Sequence, residues 1–329
     1  MSFLYIFNVI GVLDNITYHV LQEEVFEWYT SNQLYVWLMW LLIPVIVVFC
    51  LPFFTYFLLY ITALLLEVYR YWNLARGIKY NPKFWDKANF YFSNIWLAYG
   101  RFWHGYEVVG IDNIPSQGPA LIIFYHGTIP VDWYFLFSAH LCIKKRLIQA
   151  VGDKFLFKIP GWKALLEAAK VCPGSIESCS EVLKNGNLLA IAPGGVREAQ
   201  FGDETYSLLW EKRKGFAQVA IDGKAPIIPV FTQNIREAFR PLGIGKSLFR
   251  KIYEKTRFPL VPIYGGFPVK LRTIIGNPIP YDKNITAEEL VCKTKCAIRE
   301  LILHHQHLPG SIILALFERI FESNKQKCI

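Results

Sequence analysis

Residues 34–66 carry no charged side chain. As one helix the run would span about 50 Å, against about 30 Å for the hydrocarbon core of a bilayer. A run of this kind has to lie in lipid or be covered by protein, so it constrains the rest of the chain. Pro44 and Pro52 interrupt it, which leads us to expect a transmembrane helical hairpin over 34–66, with one tilted helix as the alternative. The flanks differ in charge. Residues 1–33 contain Asp14, Glu23, Glu24 and Glu27 and no lysine or arginine, whereas Arg70, Arg76, Lys79, Lys83 and Lys87 follow the run. The positive-inside rule therefore places everything after it in the cytosol. A single pass would leave Asn15-Ile16-Thr17 in a lumen as a glycosylation acceptor; a hairpin would keep it cytosolic. The first thirteen residues are apolar but have no basic start, so a cleaved signal peptide is not expected and residues 1–33 read as an interfacial segment. Residues 67–103 mix Tyr69, Tyr71, Trp72, Phe84, Trp85, Trp96 and Trp103 with basic side chains, the signature of a connector at a membrane surface.

From residue 104 to 329 the pattern becomes α/β. Short apolar runs at 106–111, 120–125, 147–151, 188–192, 227–231 and 269–275 read as strands, with helical patterns at 155–171 and 178–185 among them. Thr286-x-x-Glu289 is a capping box opening a late helix, and 312–321 is an amphipathic stretch suited to the domain or the bilayer. The alternation implies a mixed sheet covered by helices. A net charge of +9 without any nucleic-acid motif fits anionic lipid surfaces or a phosphate-rich ligand, not DNA or RNA. Seven scattered cysteines form no C-x-x-C pair, which argues against a zinc site or a disulfide framework and for a reducing compartment.

Two strand ends carry the candidate chemistry. The run 121–125 stops at His126-Gly127-Thr128-Ile129-Pro130-Val131-Asp132, which delivers an imidazole and a carboxylate to one loop. A histidine can act as base near neutral pH and an aspartate can orient it. Asp132 reads equally as an N-cap of the following helix. The run 188–192 stops at Pro193-Gly194-Gly195-Val196-Arg197-Glu198, where glycines admit a close backbone approach and Arg197 can hold an anion or pair with a neighbouring carboxylate. Lys212-Arg213-Lys214 is either a solvated turn or a phosphate contact, and Pro226-Ile227-Ile228-Pro229-Val230 is a strand bounded by prolines. Other chemistries lack their motifs. There is no G-x-S-x-G elbow and no G-x-G-x-x-G fingerprint. Gly245-Lys246-Ser247 imitates the end of a P-loop, but Arg240 stands where its first glycine belongs. His304, His305 and His307 lack the partners of a metal site.

The order of these blocks resembles the glycerolipid acyltransferase superfamily over residues 100–305. The family's His-x4-Asp block corresponds to His126–Asp132, its arginine-bearing second block to Pro173–Glu177, its Phe-Pro-Glu-Gly-Thr-Arg to Pro193–Arg197 and its Val-Pro-x-x-Pro-Val to Pro226–Val230. Three departures stand out. Five residues separate His126 from Asp132, Ile176 replaces the second-block arginine, and Gly194-Gly195-Val196 replaces Glu-Gly-Thr. On a regular helix the extra residue would turn Asp132 by about 100°; Pro130 is expected to absorb it in a loop. The double glycine is similar to the diacylglycerol acyltransferase-2 branch, whose acceptors are neutral.

The resemblance implies a glycerolipid-acyltransferase-like mixed sheet behind an N-terminal transmembrane segment. It further implies an integral endoplasmic reticulum enzyme facing the cytosol, with acyl-CoA as co-substrate, an acylglycerol acceptor, and neither cofactor nor metal. His126 and Asp132 would be catalytic. Gly127, Gly194, Gly195, Arg197 and Glu198 would bind substrate or the oxyanion, and Lys212, Arg213 and Lys214 the CoA phosphates. The product would be triacylglycerol or a related neutral lipid. The alternatives are a lipid-binding or regulatory membrane protein that has lost catalysis, and a lysophospholipid acyltransferase.

Overall fold

A computed structural model describes residues 33–321 except 82, together with residues 19 and 22–24. The expected interfacial segment and Asn15 lie almost wholly outside the described residues. The chain divides into two units, Met1–Cys50 and Leu51–Ile329.

The apolar run is one helix, α1 (Gln33–Ala75), unbroken at Pro44 and Pro52. This corrects the expected hairpin. Each proline removes one N–H from the helix ladder but already holds a helical φ, and a long apolar helix tolerates the lost bond. By length and composition α1 is able to cross a membrane. In the first unit its described side chains are largely exposed, among them Tyr35, Trp37 and Trp40. In the second unit Leu59, Ala63 and Leu66 are buried. Thr62 Oγ1 accepts the Trp96 indole N–H at 3.3 Å there, and Tyr60 meets the Trp162 ring edge-on. One face of the later part of the uncharged run is thus covered by protein, while Phe53, Phe57 and Leu64 on the rest of it stay exposed.

The remaining helices are α2 (Asp86–His104), α3 (Val131–Lys144), α4 (Lys163–Ala168), α5 (Ile176–Lys184), α6 (Gly195–Phe201), α7 (Gly215–Asp222), α8 (Ile235–Ala238), α9 (Lys246–Thr256), α10 (Ala287–His305) and α11 (Ile312–Phe321). The strands are β1 (Glu107–Val109), β2 (Ala120–Phe124), β3 (Ile148–Gly152), β4 (Val171–Pro173), β5 (Leu188–Ile191), β6 (Ile227–Gln233), β7 (Phe239–Pro241), β8 (Ile263–Gly265) and β9 (Arg272–Ile275). Seven of them form one sheet in the order β1-β9-β6-β2-β5-β3-β4, and β7 pairs with β8 in a separate ribbon. Within the large sheet β6 and β9 are antiparallel and the other pairs parallel. The mixed α/β sheet expected from the sequence is present.

β2 lies at the centre, flanked by β5 and β6, and its Ala120, Leu121, Ile122 and Ile123 are fully buried. Strands covered on both faces read as continuous apolar runs. Because β2, β5 and β6 are parallel, their carboxyl ends meet at one edge, where α/β proteins place their ligands.

The six expected strands are present. The helix expected over 155–171 is not: a single helical turn at Leu156–Lys158 is followed by α4, and β4 begins at Val171. Pro160 and Gly161, the latter at φ +80°, end the first piece. The capping box holds as expected, with the Glu289 N–H donated to Thr286 Oγ1 at 3.3 Å and the Thr286 N–H to Glu289 Oε2 at 2.9 Å.

Candidate active site

His126 follows the carboxyl end of β2. Its Nδ1 lies 2.6 Å from the Gly127 carbonyl oxygen. A carbonyl only accepts, so Nδ1 carries the proton and Nε2 keeps its lone pair. Burial lowers the imidazole pKa to about 4, the Arg236 charge adding to the effect and the Gly127 carbonyl opposing it. The ring is therefore neutral at pH 7, with Nε2 as its basic atom. The loop then passes Ile235 closely: a Cβ at Gly127 would lie 2.4 Å from Ile235 Cγ1. Gly127→Ala should destabilise the domain by about 1–3 kcal/mol through overpacking, and it should disturb the carbonyl that holds the His126 ring. Adding Ile235→Ala should restore part of both. Thermal melts and activity of the two single variants and the double variant check this.

α3 begins directly after Pro130, so the extra residue between His126 and Asp132 is taken up in the loop. Asp132 is buried in the first turn of α3. No hydrogen bond joins it to His126 among the described residues. Burial pushes its carboxyl up to about 7, against the pull of Thr232 and of the Asp132 and Trp133 N–H groups. Behind Thr232 runs a buried chain. Tyr106 donates to Thr273 Oγ1 at 2.9 Å, and Thr273 and Thr232 share a bond at 2.8 Å. One direction satisfies every hydroxyl: Tyr106 to Thr273 to Thr232 to Asp132. Asp132 Oδ1 has no hydrogen-bond partner among the described residues.

The second turn follows β5. Gly195 sits at φ +51°, and a Cβ at Gly194 would lie 2.3 Å from Glu198 Cδ. That space lets the Glu198 side chain fold back over the turn. Its carboxylate accepts the His126 N–H at 3.0 Å and the Leu209 N–H at 3.0 Å. Glu198 is fully buried, and burial pushes it up to about 7 despite those bonds. In the structure Glu198, expected to bind substrate or the oxyanion, splints the His126 strand end to the 209 segment. The Gly195 N–H is also engaged, by the Ala192 carbonyl at 3.0 Å. The Gly127 and Gly194 N–H groups carry no hydrogen bond among the described residues.

The cations expected to hold phosphates are mostly committed elsewhere. Arg197 pairs with Glu211 and, at 2.7 Å, with Glu254, so its alternative reading is the observed one. Arg213 donates to the Pro193 and Gly194 carbonyls at 2.7 and 3.0 Å and fastens the glycine turn. Lys214 pairs with Glu288 at 2.6 Å. Lys212 is exposed and makes no hydrogen bond among the described residues. Ile176 opens α5 and is partly exposed, with no cation in the place of the second-block arginine. No group of His, Cys, Asp or Glu suited to a metal occurs among the described residues.

One functional neighbour was not selected from the sequence. Arg236, in α8 after β6, is only 1% exposed. It donates Nε to the Tyr125 hydroxyl and Nη2 to the Glu198 carbonyl, and its guanidinium lies 5.2 Å from the Tyr125 ring centroid. The adjacent Glu237 is fully buried, accepting from Tyr206 and pairing with Arg240 at 3.1 Å. An Arg-Glu pair five residues beyond the apolar run 227–231 was the available signal.

Comparison with known proteins places this arrangement. The acyltransferase family profile matches residues 105–233, from just before β1 to the end of β6. A Bos taurus protein named "DGAT1/2-independent enzyme synthesizing storage lipids" is 53% identical over 291 residues, covering 88% of this chain and 86% of the relative. The Homo sapiens protein of the same name is 51% identical over 307 residues, covering 92% and 93%. The Homo sapiens 2-acylglycerol O-acyltransferase 3 is 24% identical over 200 residues, 53% of each chain. With its blocks in order on this sheet and relatives of this identity along most of its length, the chain belongs to the glycerolipid acyltransferase family and is an acyltransferase.

Proposed function

We propose that the chain moves a fatty acyl group from acyl-CoA to the hydroxyl of a mono- or diacylglycerol, giving triacylglycerol or a related neutral lipid. The observation that carries this reading is the His126 ring, whose Nδ1–H is given to the Gly127 carbonyl so that Nε2 is left as a base. The acceptor oxygen attacks the thioester carbonyl as Nε2 takes the hydroxyl proton. The tetrahedral oxyanion collapses, the C–S bond breaks, and the departing thiolate sulfur receives that proton from the imidazolium. In this reading the Gly127 and Gly194 N–H groups, which carry no hydrogen bond among the described residues, hold the oxyanion. Asp132, whose Oδ1 is buried without a partner among the described residues, is the carboxylate that supplies negative charge in this reading once ionised. The mechanism requires no metal or cofactor.

Supporting a neutral acceptor is the absence of a free cation where the phosphate-handling members carry arginine: Ile176 stands there, and Arg197 is bound by two carboxylates. The relatives named for storage-lipid synthesis agree with this. In this reading α1 anchors the enzyme in the endoplasmic reticulum membrane and the α/β domain faces the cytosol, which the basic flank after the uncharged run supports. The test is acyl transfer by the purified chain to neutral and phosphorylated acceptors in one vesicle population, where the neutral acceptor should be acylated faster.

A further inference from the structure

We propose that the pocket at the N-terminus of α9 is a phosphate site, and that it takes a phosphate group of the CoA part of the acyl donor. The proposal rests on the acyl-CoA reading above for the identity of the ligand. It takes the place of the Lys212, Arg213 and Lys214 cluster, two of whose members are already engaged.

The pocket has a volume of about 210 Å³, and Arg236, Arg240, Lys246, Gly243 and Asp203 contribute to its wall. Three cations from two neighbouring segments share the pocket with two carboxylates, Asp203 and Glu204, and Arg240 is already engaged by Glu237 at 3.1 Å and the Gly310 carbonyl at 2.9 Å, so Lys246 and Arg236 carry the site. Asp203 is already held by Thr205, whose N–H and hydroxyl it accepts at 3.1 and 2.6 Å. The Lys246 side chain makes no hydrogen bond or ion pair among the described residues, although its charge helps hold Asp203 ionised and its own N–H is given to the Gly243 carbonyl at 3.4 Å. Arg236 is buried and gives Nε and Nη2 to Tyr125 and Glu198, but its Nη1 is buried with no partner. A guanidinium nitrogen can only donate, so the missing group is an acceptor, and a cation or an apolar chain cannot fill that role. An unmet buried donor of this kind is costly, which is a reason to look for its ligand.

α9 supplies the second set of donors. It is an eleven-residue helix preceded by Gly245 at φ +74°, with no side-chain cap on its first N–H groups. Uncapped helix starts favour anions. A Cβ at Gly243 would meet nothing within 4 Å, so the backbone approach is open. Gly243-Ile244-Gly245-Lys246-Ser247 therefore keeps the local chemistry of a phosphate loop: glycines, a lysine and a helix N-terminus. It lacks the setting of a nucleotidase loop, because the preceding strand β7 belongs to a two-stranded antiparallel ribbon. Arg240 at the position of the first glycine is spent on Glu237 and the Gly310 carbonyl.

The pocket is linked to the base through few bonds. Arg236 Nη2 holds the Glu198 carbonyl, and the Glu198 carboxylate holds the His126 N–H. A neutral acceptor brings no phosphate, so the donor is the phosphorylated substrate of this reaction.

The test uses the full chain in detergent micelles and equilibrium binding without turnover. Wild-type protein, His126→Ala and Lys246→Gln are titrated with CoA, with pantetheine, and with vesicles containing phosphatidate. Lys246 is at the surface, so the fold of its variant is checked by its melting temperature. We expect Lys246→Gln to weaken CoA binding about tenfold, the loss of one charge-assisted contact, with pantetheine binding unchanged and His126→Ala binding like wild type. An unchanged CoA affinity would overturn the proposal, as would an equal loss for pantetheine. A loss confined to the phosphatidate vesicles would assign the phosphate to a lipid and overturn the donor assignment. Lys246-dependent CoA binding in a protein without acyl transfer would keep the pocket and reject the reaction; acyl transfer without that dependence would do the reverse.

Discussion

His126→Ala should lower acyl transfer by about 10²–10⁴-fold, the usual contribution of a positioned general base. Alanine removes Nε2, the atom that takes the acceptor proton in this mechanism. The fold should survive, because the structural contact at this position is made by the His126 N–H with Glu198, which alanine retains. Asp132→Asn should lose less. It keeps the contour in the first turn of α3 but cannot ionise to balance the imidazolium. Initial rates on purified protein, with melting temperatures to confirm folding, check both. Near wild-type turnover in His126→Ala would remove the base from the mechanism, and unchanged turnover in Asp132→Asn would leave that residue as a helix-start contact.

Glu198→Ala should give the largest loss of stability, about 2–5 kcal/mol. Its carboxylate is the partner of two N–H groups, those of His126 and Leu209, and it lies close enough to the buried Arg236 to feel its charge. Removing it strands both donors and leaves the cation less balanced. The same residue makes stability depend on pH. Its folded pKa of about 7 is raised above the ordinary 4.5, so the folded protein holds a proton that the unfolded chain releases. The stability linked to that proton is fully present below pH 4.5 and is lost as pH rises to 7. Glu198→Gln should remove this part of the slope. Melting curves of the three proteins between pH 4.5 and 8 test it; a wild-type slope retained in Glu198→Gln would reject the assignment.

Much of the fold was legible because the six strands the sequence announces are apolar runs in a sheet covered on both faces. β4, β7 and β8 are three residues each, too short for periodicity to mark. The break at Pro160-Gly161 is marked in the sequence itself, by a proline followed by a glycine at φ +80°. The continuity of α1 was not, since prolines that end a helix in water are tolerated in an apolar one. At the site, His126 and the glycine turn were legible as strand ends. The fates of the cations were not, because each depends on a carboxylate remote in sequence: Glu254 for Arg197 and Glu288 for Lys214. Arg236 was passed over for the same reason. Its burial depends on Tyr125 and Glu198, which only the folded sheet brings to it.

The account stands or falls most directly on which acceptor receives the acyl group. Labelled acyl-CoA is offered to the purified chain in vesicles carrying diacylglycerol and lysophosphatidate at matched surface concentrations, with His126→Ala as background. The account predicts that label enters triacylglycerol faster than phosphatidate, and that His126→Ala abolishes both signals. Faster labelling of phosphatidate would contradict the neutral acceptor, and label in neither lipid above background would contradict the reaction itself.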